Sequence, residues 1–296
     1  MYENVLVTLD GSNAAEIVLP YAEEIVVKFD AEIILMSVSE ATADARDHLY
    51  RSYLDRMARQ FQKELQDQGV KKEVTVRTEV LFGRPESEII RYAQEKNVKL
   101  ITMASRGGSG ESPWLLGHIA GKVLRATDRP VLLVRAPADG ESISRRRLIK
   151  RILLPLDGSK VGEAAIPYAE SMAQTLEAEL VLFQVIRLSA LVASEGAAMS
   201  SDMIREEEEY RRANALAYLN SVEEGLKNKA LNTSVALASG SSADQIIEYA
   251  EANAIDLIAM STHGRSGIGR WVFGSVTDKV LHSGATAVLT VRATKE

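Results

Sequence analysis

Cysteine is absent from the sequence, which removes disulfides, thiolate metal centres and cysteine nucleophiles together. The cytoplasm is the expected location. A basic excess is missing too. The formal net charge is -6, which argues against a general nucleic-acid binder, because phosphate contacts need a basic face. No apolar run approaches the ~18 residues of a membrane helix. The start, "MYENVLVTLDGS", has no basic segment followed by an apolar one, so an unexported protein without a membrane span is expected. What is present is ordinary globular composition, 46% hydrophobic and 26% charged over 296 residues, enough for two domains with buried cores.

The chain is one unit written twice. "VLVTLDGSNAAEIVLPYAEEI" from Val5 matches "ILLPLDGSKVGEAAIPYAESM" from Ile152, with Asp10 and Asp157 147 positions apart (157 − 10). Further on, Gly83 and Gly240, Gly107 and Gly264, Gly117 and Gly274, and Arg135 and Arg292 are 157 apart (240 − 83). The second copy therefore carries an insertion between Val185 and Gly240, best placed in "RLSALVASEGAAMSSDM". "APADGESISRRRLIK" reads as a linker. The expected domains are 1–138 and 151–296, joined by 139–150.

Each copy opens with a β-branched run ending in Asp-Gly-Ser, a strand entering a turn, with Ser12 or Ser159 placed to cap the next helix. Pro20 and Pro167 are expected to kink that helix. A second strand, a long charged helix, a third strand, a short helix and a fourth strand ending at Met103 or Met260 follow. After a glycine loop and another helix comes a fifth strand. Such alternation predicts an α/β fold, two tandem doubly wound domains, each a five-stranded mostly parallel sheet with helices on both faces. The ligand crevice of such a sheet lies beyond the carboxyl ends of the strands, where strand order reverses. Strands one and four would bring Asp157 and the glycine loop "MSTHGRSGIGRWVFGSVTDKVL" to the same crevice.

Glycines between a strand and a helix let backbone N–H groups approach an anion, and the helix N-terminus adds unpaired donors and partial positive charge. Phosphate is the natural guest. The loop is neither a Walker loop nor a dinucleotide fingerprint. Read singly, Gly264 and Gly274 also fit as turn and cap residues, Asp157 as a turn cap, and Val185 and Met260 as core.

Together, strand-Asp-Gly-Ser, the fourth strand ending in Met and the glycine loop resemble the universal stress protein family, in two tandem copies covering nearly the whole chain. The signature of that family's nucleotide-binding branch is Gly, two residues, Gly, nine residues, then Gly with Ser or Thr. The second copy reads Ser261, Thr262-His263, Gly264, nine residues, Gly274-Ser275, and so replaces only the first glycine. The first copy reads Ala104, Ser105-Arg106, Gly107, nine residues, Gly117-His118, and has lost the first glycine and the hydroxyl. The resemblance implies ATP, or AMP or ADP, in the C-terminal copy, with Mg a companion of the phosphates. Adenine would lie against Val185 and Met260, and the ribose would bond Asp157. Phosphates would be held by Gly264, Gly274, Ser275, Val276 and Thr277, with Pro155 and Ser261 beside them. Weaker N-terminal counterparts are Asp10, Val38, Met103, Ala104, Gly107, Gly117 and His118. It also implies pairing of the two copies through their last strands about a pseudo-twofold axis, and allows a homodimer and a protein partner.

His263 invites a catalytic role, but no Ser-His-Asp or His-Glu-x-x-His pattern accompanies it. His48, His118, His263 and His282 lack metal-ligand spacing. "REEEEYRR" reads as a solvated helix face with i,i+4 ion pairs, and "SRRRLIKR" as a linker. Trp114 and Trp271 suit packing or a subunit contact. A stress-response binding protein is the leading expectation, with a nucleotide-free interaction module as alternative and a slow ATPase as a third reading.

Overall fold

The structure is a computed structural model that describes residues 1–40, 47–106, 116–135, 149–186, 201–227, 229, 231–263 and 273–293. The first copy forms β1 (Asn4–Thr8), α1 (Asn13–Glu16), α2 (Leu19–Phe29), β2 (Glu32–Ser39), α3 (Asp47–Asp67), β3 (Val76–Phe82), α4 (Pro85–Glu95), β4 (Leu100–Ala104), α5 (His118–Ala126) and β5 (Val131–Val134). The second repeats it as β6 (Arg151–Pro155), α6 (Lys160–Glu163), α7 (Ile166–Leu176), β7 (Glu179–Ile186), α8 (Ser201–Lys227), β8 (Thr233–Ser239), α9 (Ser242–Ala252), β9 (Leu257–Ser261), α10 (Ser275–Ser283) and β10 (Ala287–Val291).

Asp-Gly-Ser does in both copies what its residue types suggest. Gly11 and Gly158 turn the chain at φ +88 and +78, a region that favours glycine. Ser12 and Ser159 then accept from the N–H groups of Ala15 and Gly162 as N-caps. The expected proline kink is not there. The chain instead closes a short helix and starts a new one, with Pro20 and Pro167 in the first turn of α2 and α7. A proline's missing N–H costs nothing at that place, because first-turn donors have no intrahelical partner.

The ten strands among the described residues lie in one sheet, ordered β3-β2-β1-β4-β5-β10-β9-β6-β7-β8. Within each copy the pairings are parallel, and strand order reverses between β1 and β4, and between β6 and β9. Helices α2, α3, α7 and α8 cover one face and α4, α5, α9 and α10 the other. Alternate strand residues feed the two cores, Val5 and Val7 the first and Leu6 the second.

The copies join through their last strands, as expected, by an antiparallel ladder, β5 on β10. Each copy then sends an arginine to the other. Arg135, which follows β5, donates through Nη2 to the Val280 (3.5 Å) and Leu281 carbonyls near the end of α10. Arg292 donates through Nη1 to the carbonyls of Arg125 (3.5 Å) and Thr127 (3.2 Å) at the end of α5. A cation at a helix C-terminus meets the negative end of the dipole. Burial pushes the Arg135 guanidinium down to about 10. No helix among the described residues is long and apolar enough to cross a membrane.

Candidate nucleotide site

The C-terminal half opens a crevice where its strand order reverses. The β6–β9 ladder stops at the pair Leu153–Ile258, while its counterpart β1–β4 runs one pair further, to Val7–Thr102. Pro155, where the first copy has Thr8, has no N–H with which to extend the ladder. Above that point lies a cavity of roughly 690 Å³, the size of an ordinary small-molecule site (about 300–1,000 Å³).

Pro155 and Asp157 enter this cavity from β6, Val185 from β7, and Met260 and Ser261 from β9. Gly274, Ser275, Val276 and Thr277 line it from the start of α10. Gly264 falls outside the described residues. The structure thus brings together every other C-terminal residue singled out in the sequence. Met260 is both wall and core, only 5% exposed, and Val185 packs on the same core.

Asp157 is held rather than loose: its Oδ1 accepts from the Ser159 N–H at 3.0 Å and hydroxyl at 2.6 Å. In the same cavity α10 starts at Gly274 without a side-chain cap among the described residues, so the first-turn N–H groups of Ser275, Val276 and Thr277 are left as donors. Ser275 is exposed, but Thr277 is buried and its hydroxyl donates to the Ser261 carbonyl at 3.0 Å. Its side chain therefore anchors the helix, and what Thr277 offers an anion is its N–H. Of the two hydroxyls in the first turn of α10, only that of Ser275 is exposed. Gln184 and His263 also line the cavity, and their Oε1 and Nε2 are buried without a hydrogen-bond partner among the described residues. His263 Nδ1 lies 3.0 Å from the Thr262 hydroxyl. No cluster of three or more His, Asp or Glu side chains suited to a metal exists among the described residues.

One wall was not foreseen. Arg211, Asn214, Ala215 and Tyr218 present one face of α8 to the cavity, an i, i+3, i+4, i+7 spacing. Tyr218 donates to Glu163 at 3.0 Å, and Arg211 pairs with Glu207 at 2.6 Å, one of the i,i+4 pairs expected of the charged run.

In the N-terminal half Asp10 is tied in the same way, by the Ser12 N–H at 2.9 Å and hydroxyl at 2.5 Å. Val38, Met103 and Ala104 end β2 and β4, Gly117 caps α5 and His118 is its first residue. Gly107, Trp114 and Trp271 lie outside the described residues. Gly117 is required by the fold itself. A Cβ there would stand 2.9 Å from the Ser105 carbonyl oxygen, to which Gly117 also donates its N–H at 2.7 Å. Gly274 makes the matching bond to Thr262, at 2.9 Å. The structural and the ligand-approach readings of this glycine are thus compatible, and the first is fulfilled without any ligand.

The comparisons agree with this architecture. The sequence profile of the Universal stress protein family matches residues 1–135 and 148–292. A universal stress protein of Methanocaldococcus jannaschii is 30% identical over 143 residues, 46% of this chain and 84% of that protein. Among solved structures, a universal stress protein of Archaeoglobus fulgidus superposes with a TM-score of 0.68 at 22% identity, covering 99% of both chains. A putative universal stress protein of Pseudomonas aeruginosa gives 0.69 at 16% identity, over 98% of this chain and 93% of the other. These last two likenesses concern the fold alone. With the profile matched once in each half, the chain belongs to the universal stress protein family, as two family domains in tandem.

Proposed function

We propose that the C-terminal half binds ATP or a related adenine nucleotide, and that the chain acts as a nucleotide-dependent regulatory or interaction module. The observation that carries this reading is that Asp157 and the uncapped start of α10 line one cavity. A carboxylate accepts hydrogen bonds from ribose hydroxyls, and a helix N-terminus takes phosphate through its free N–H groups and dipole. In the same cavity Val185 and Met260 offer an apolar seat for a base. Gln184 Oε1 and His263 Nε2, buried without a partner among the described residues, are polar atoms that a ligand rich in donors and acceptors satisfies. Mg would travel with the phosphates. The output of such a site is a change in association, within the chain or with a partner, when nucleotide is bound.

The test is to purify the full chain under native conditions, denature it, and identify released small molecules by mass spectrometry, followed by calorimetric titration with ATP, ADP and AMP. Release of an adenine nucleotide, or saturable binding with about one site per chain, supports the reading. Absence of both overturns it in favour of a nucleotide-free interaction module.

A further inference from the structure

Helices α4 and α9 occupy matching places, and each packs beside the helix that follows the glycine loop, α5 or α10. Their second residues, Glu86 and Ala243, are 157 apart (243 − 86), as the loop glycines are. In the C-terminal half the first turn of α9 reaches the cavity through Ser242 and Ile246. Ala243 is buried between them, and the acid comes one residue later. Asp244 pairs with Lys279 at 2.6 Å and remains 42% exposed. Lys279, then the Ser241 hydroxyl, hold its carboxyl below the usual range.

In the N-terminal half the acid is the second residue itself. Glu86 is only 17% exposed, and its Oε1 lies 2.7 Å from Nζ of Lys122, the counterpart of Lys279. Lys122, its own backbone N–H and His118 hold its carboxyl below the usual range. His118 opens α5, where the other half has Ser275. A carboxylate of the chain itself therefore stands between the starts of α4 and α5, and the C-terminal half leaves only a methyl group at the same place.

We infer that this position selects which half accepts a phosphorylated ligand: Ala243 leaves the paired helix starts to an incoming phosphate, whereas Glu86 supplies a resident anion in its place. The inference rests on the reading of the C-terminal cavity as a nucleotide site. Its physics is competition. The lysine is paired with a carboxylate in both halves, Glu86 or Asp244, so what a phosphate and the Glu86 carboxylate contest is the space and the first-turn N–H groups at the helix starts. A like charge a few ångströms away disfavours a second anion by a factor of about ten or more.

The experiment uses the full chain. Ala243→Glu is expected to weaken ATP binding about tenfold, while Ala243→Gln, of the same size without the charge, stays within about threefold of the parent. Equal losses in both variants would mean that bulk, not charge, matters, and would overturn the inference, as would unchanged affinity in Ala243→Glu. In the reverse direction, Glu86→Ala is titrated with inorganic tripolyphosphate, and the imidazole proton signals of the four histidines are followed by NMR. A saturable shift of the His118 signal in Glu86→Ala and not in the parent is expected; identical behaviour of the two overturns it. Should the parent chain bind no nucleotide, the nucleotide reading fails alone, and the tripolyphosphate titration at His118 still decides this inference.

Discussion

Leu132 and Leu289 face each other at the centre of the antiparallel β5–β10 ladder, and they are the same residue of the repeat, 157 apart (289 − 132). An axis that exchanges the two copies must pass between them. Both side chains are fully buried, so the join is part of the core. Leu132→Ala and Leu289→Ala should each cost about 2–5 kcal/mol. Because the residues touch, the double variant should depart from the sum by about 0.5–3 kcal/mol. Urea denaturation of the four proteins checks both statements, and strict additivity would place the axis elsewhere.

Glu179 ties β7 to its neighbours. Its carboxylate accepts from the Ser234 hydroxyl at 2.7 Å and from Arg151 Nε at 2.9 Å. Ser234 first and then Arg151 hold its carboxyl below the ordinary 4.5. A carboxyl whose folded value is lowered contributes stability above its unfolded value, and that contribution is lost as pH falls through the folded one. Glu179→Gln should therefore be less stable than the parent at neutral pH. The gap should shrink as pH drops below 4.5 toward the lowered value. Denaturant midpoints measured across that range test the sign.

Gly117→Ala should destabilise the fold by about 1–3 kcal/mol, the usual cost of overpacking, because the atom its methyl meets is the backbone oxygen of Ser105. Thermal unfolding would show it with or without nucleotide. Gly274, whose N–H makes the matching backbone bond to the Thr262 carbonyl, is a poor residue with which to probe binding. Ser275, exposed at the first position of α10, is a cleaner probe. Ser275→Ala should keep the fold and lose about 1.5–3 kcal/mol of ATP affinity, the worth of a hydrogen bond to a charged group. Calorimetry that gives the parent affinity would remove this hydroxyl from the site.

Much of this was legible in the sequence because repetition exposes what must be kept. Asp-Gly-Ser fixed the turn and cap through residue types with few alternatives, and the apolar runs of β5 and β10 identified the joining edges. The helix break before Pro20 was not legible, since a proline inside a periodic pattern is compatible with either a kink or a restart. The α8 wall was hidden for a different reason. Arg211 and Tyr218 belong to a stretch whose charge suggests solvent, and only the packing of α8 on β7 and β8 turns one of its faces toward the cavity. The contrast of Glu86 with Ala243 was present in the repeat register. It acquired meaning only once α4 was seen to start beside α5.

The two halves hold their aspartates alike, so the acid alone does not distinguish them; the surroundings do. Thr8 stands for Pro155, Glu86 for Ala243 and His118 for Ser275. Facing Asp10 and Glu16, the Tyr53 phenol is pushed up by burial and by those two carboxylates. Leu54, Met57 and Phe61 of α3 are closed into the core. Nucleotide should therefore occupy the C-terminal half of the intact chain, leaving the N-terminal half empty or markedly weaker near neutral pH. Asp157→Asn should reduce ATP affinity about tenfold, within the 1–3 kcal/mol range for an impaired polar contact. Asp10→Asn should leave affinity and stoichiometry as in the parent. Calorimetry on the two full-length variants gives the comparison, and equal losses would mean that both crevices bind.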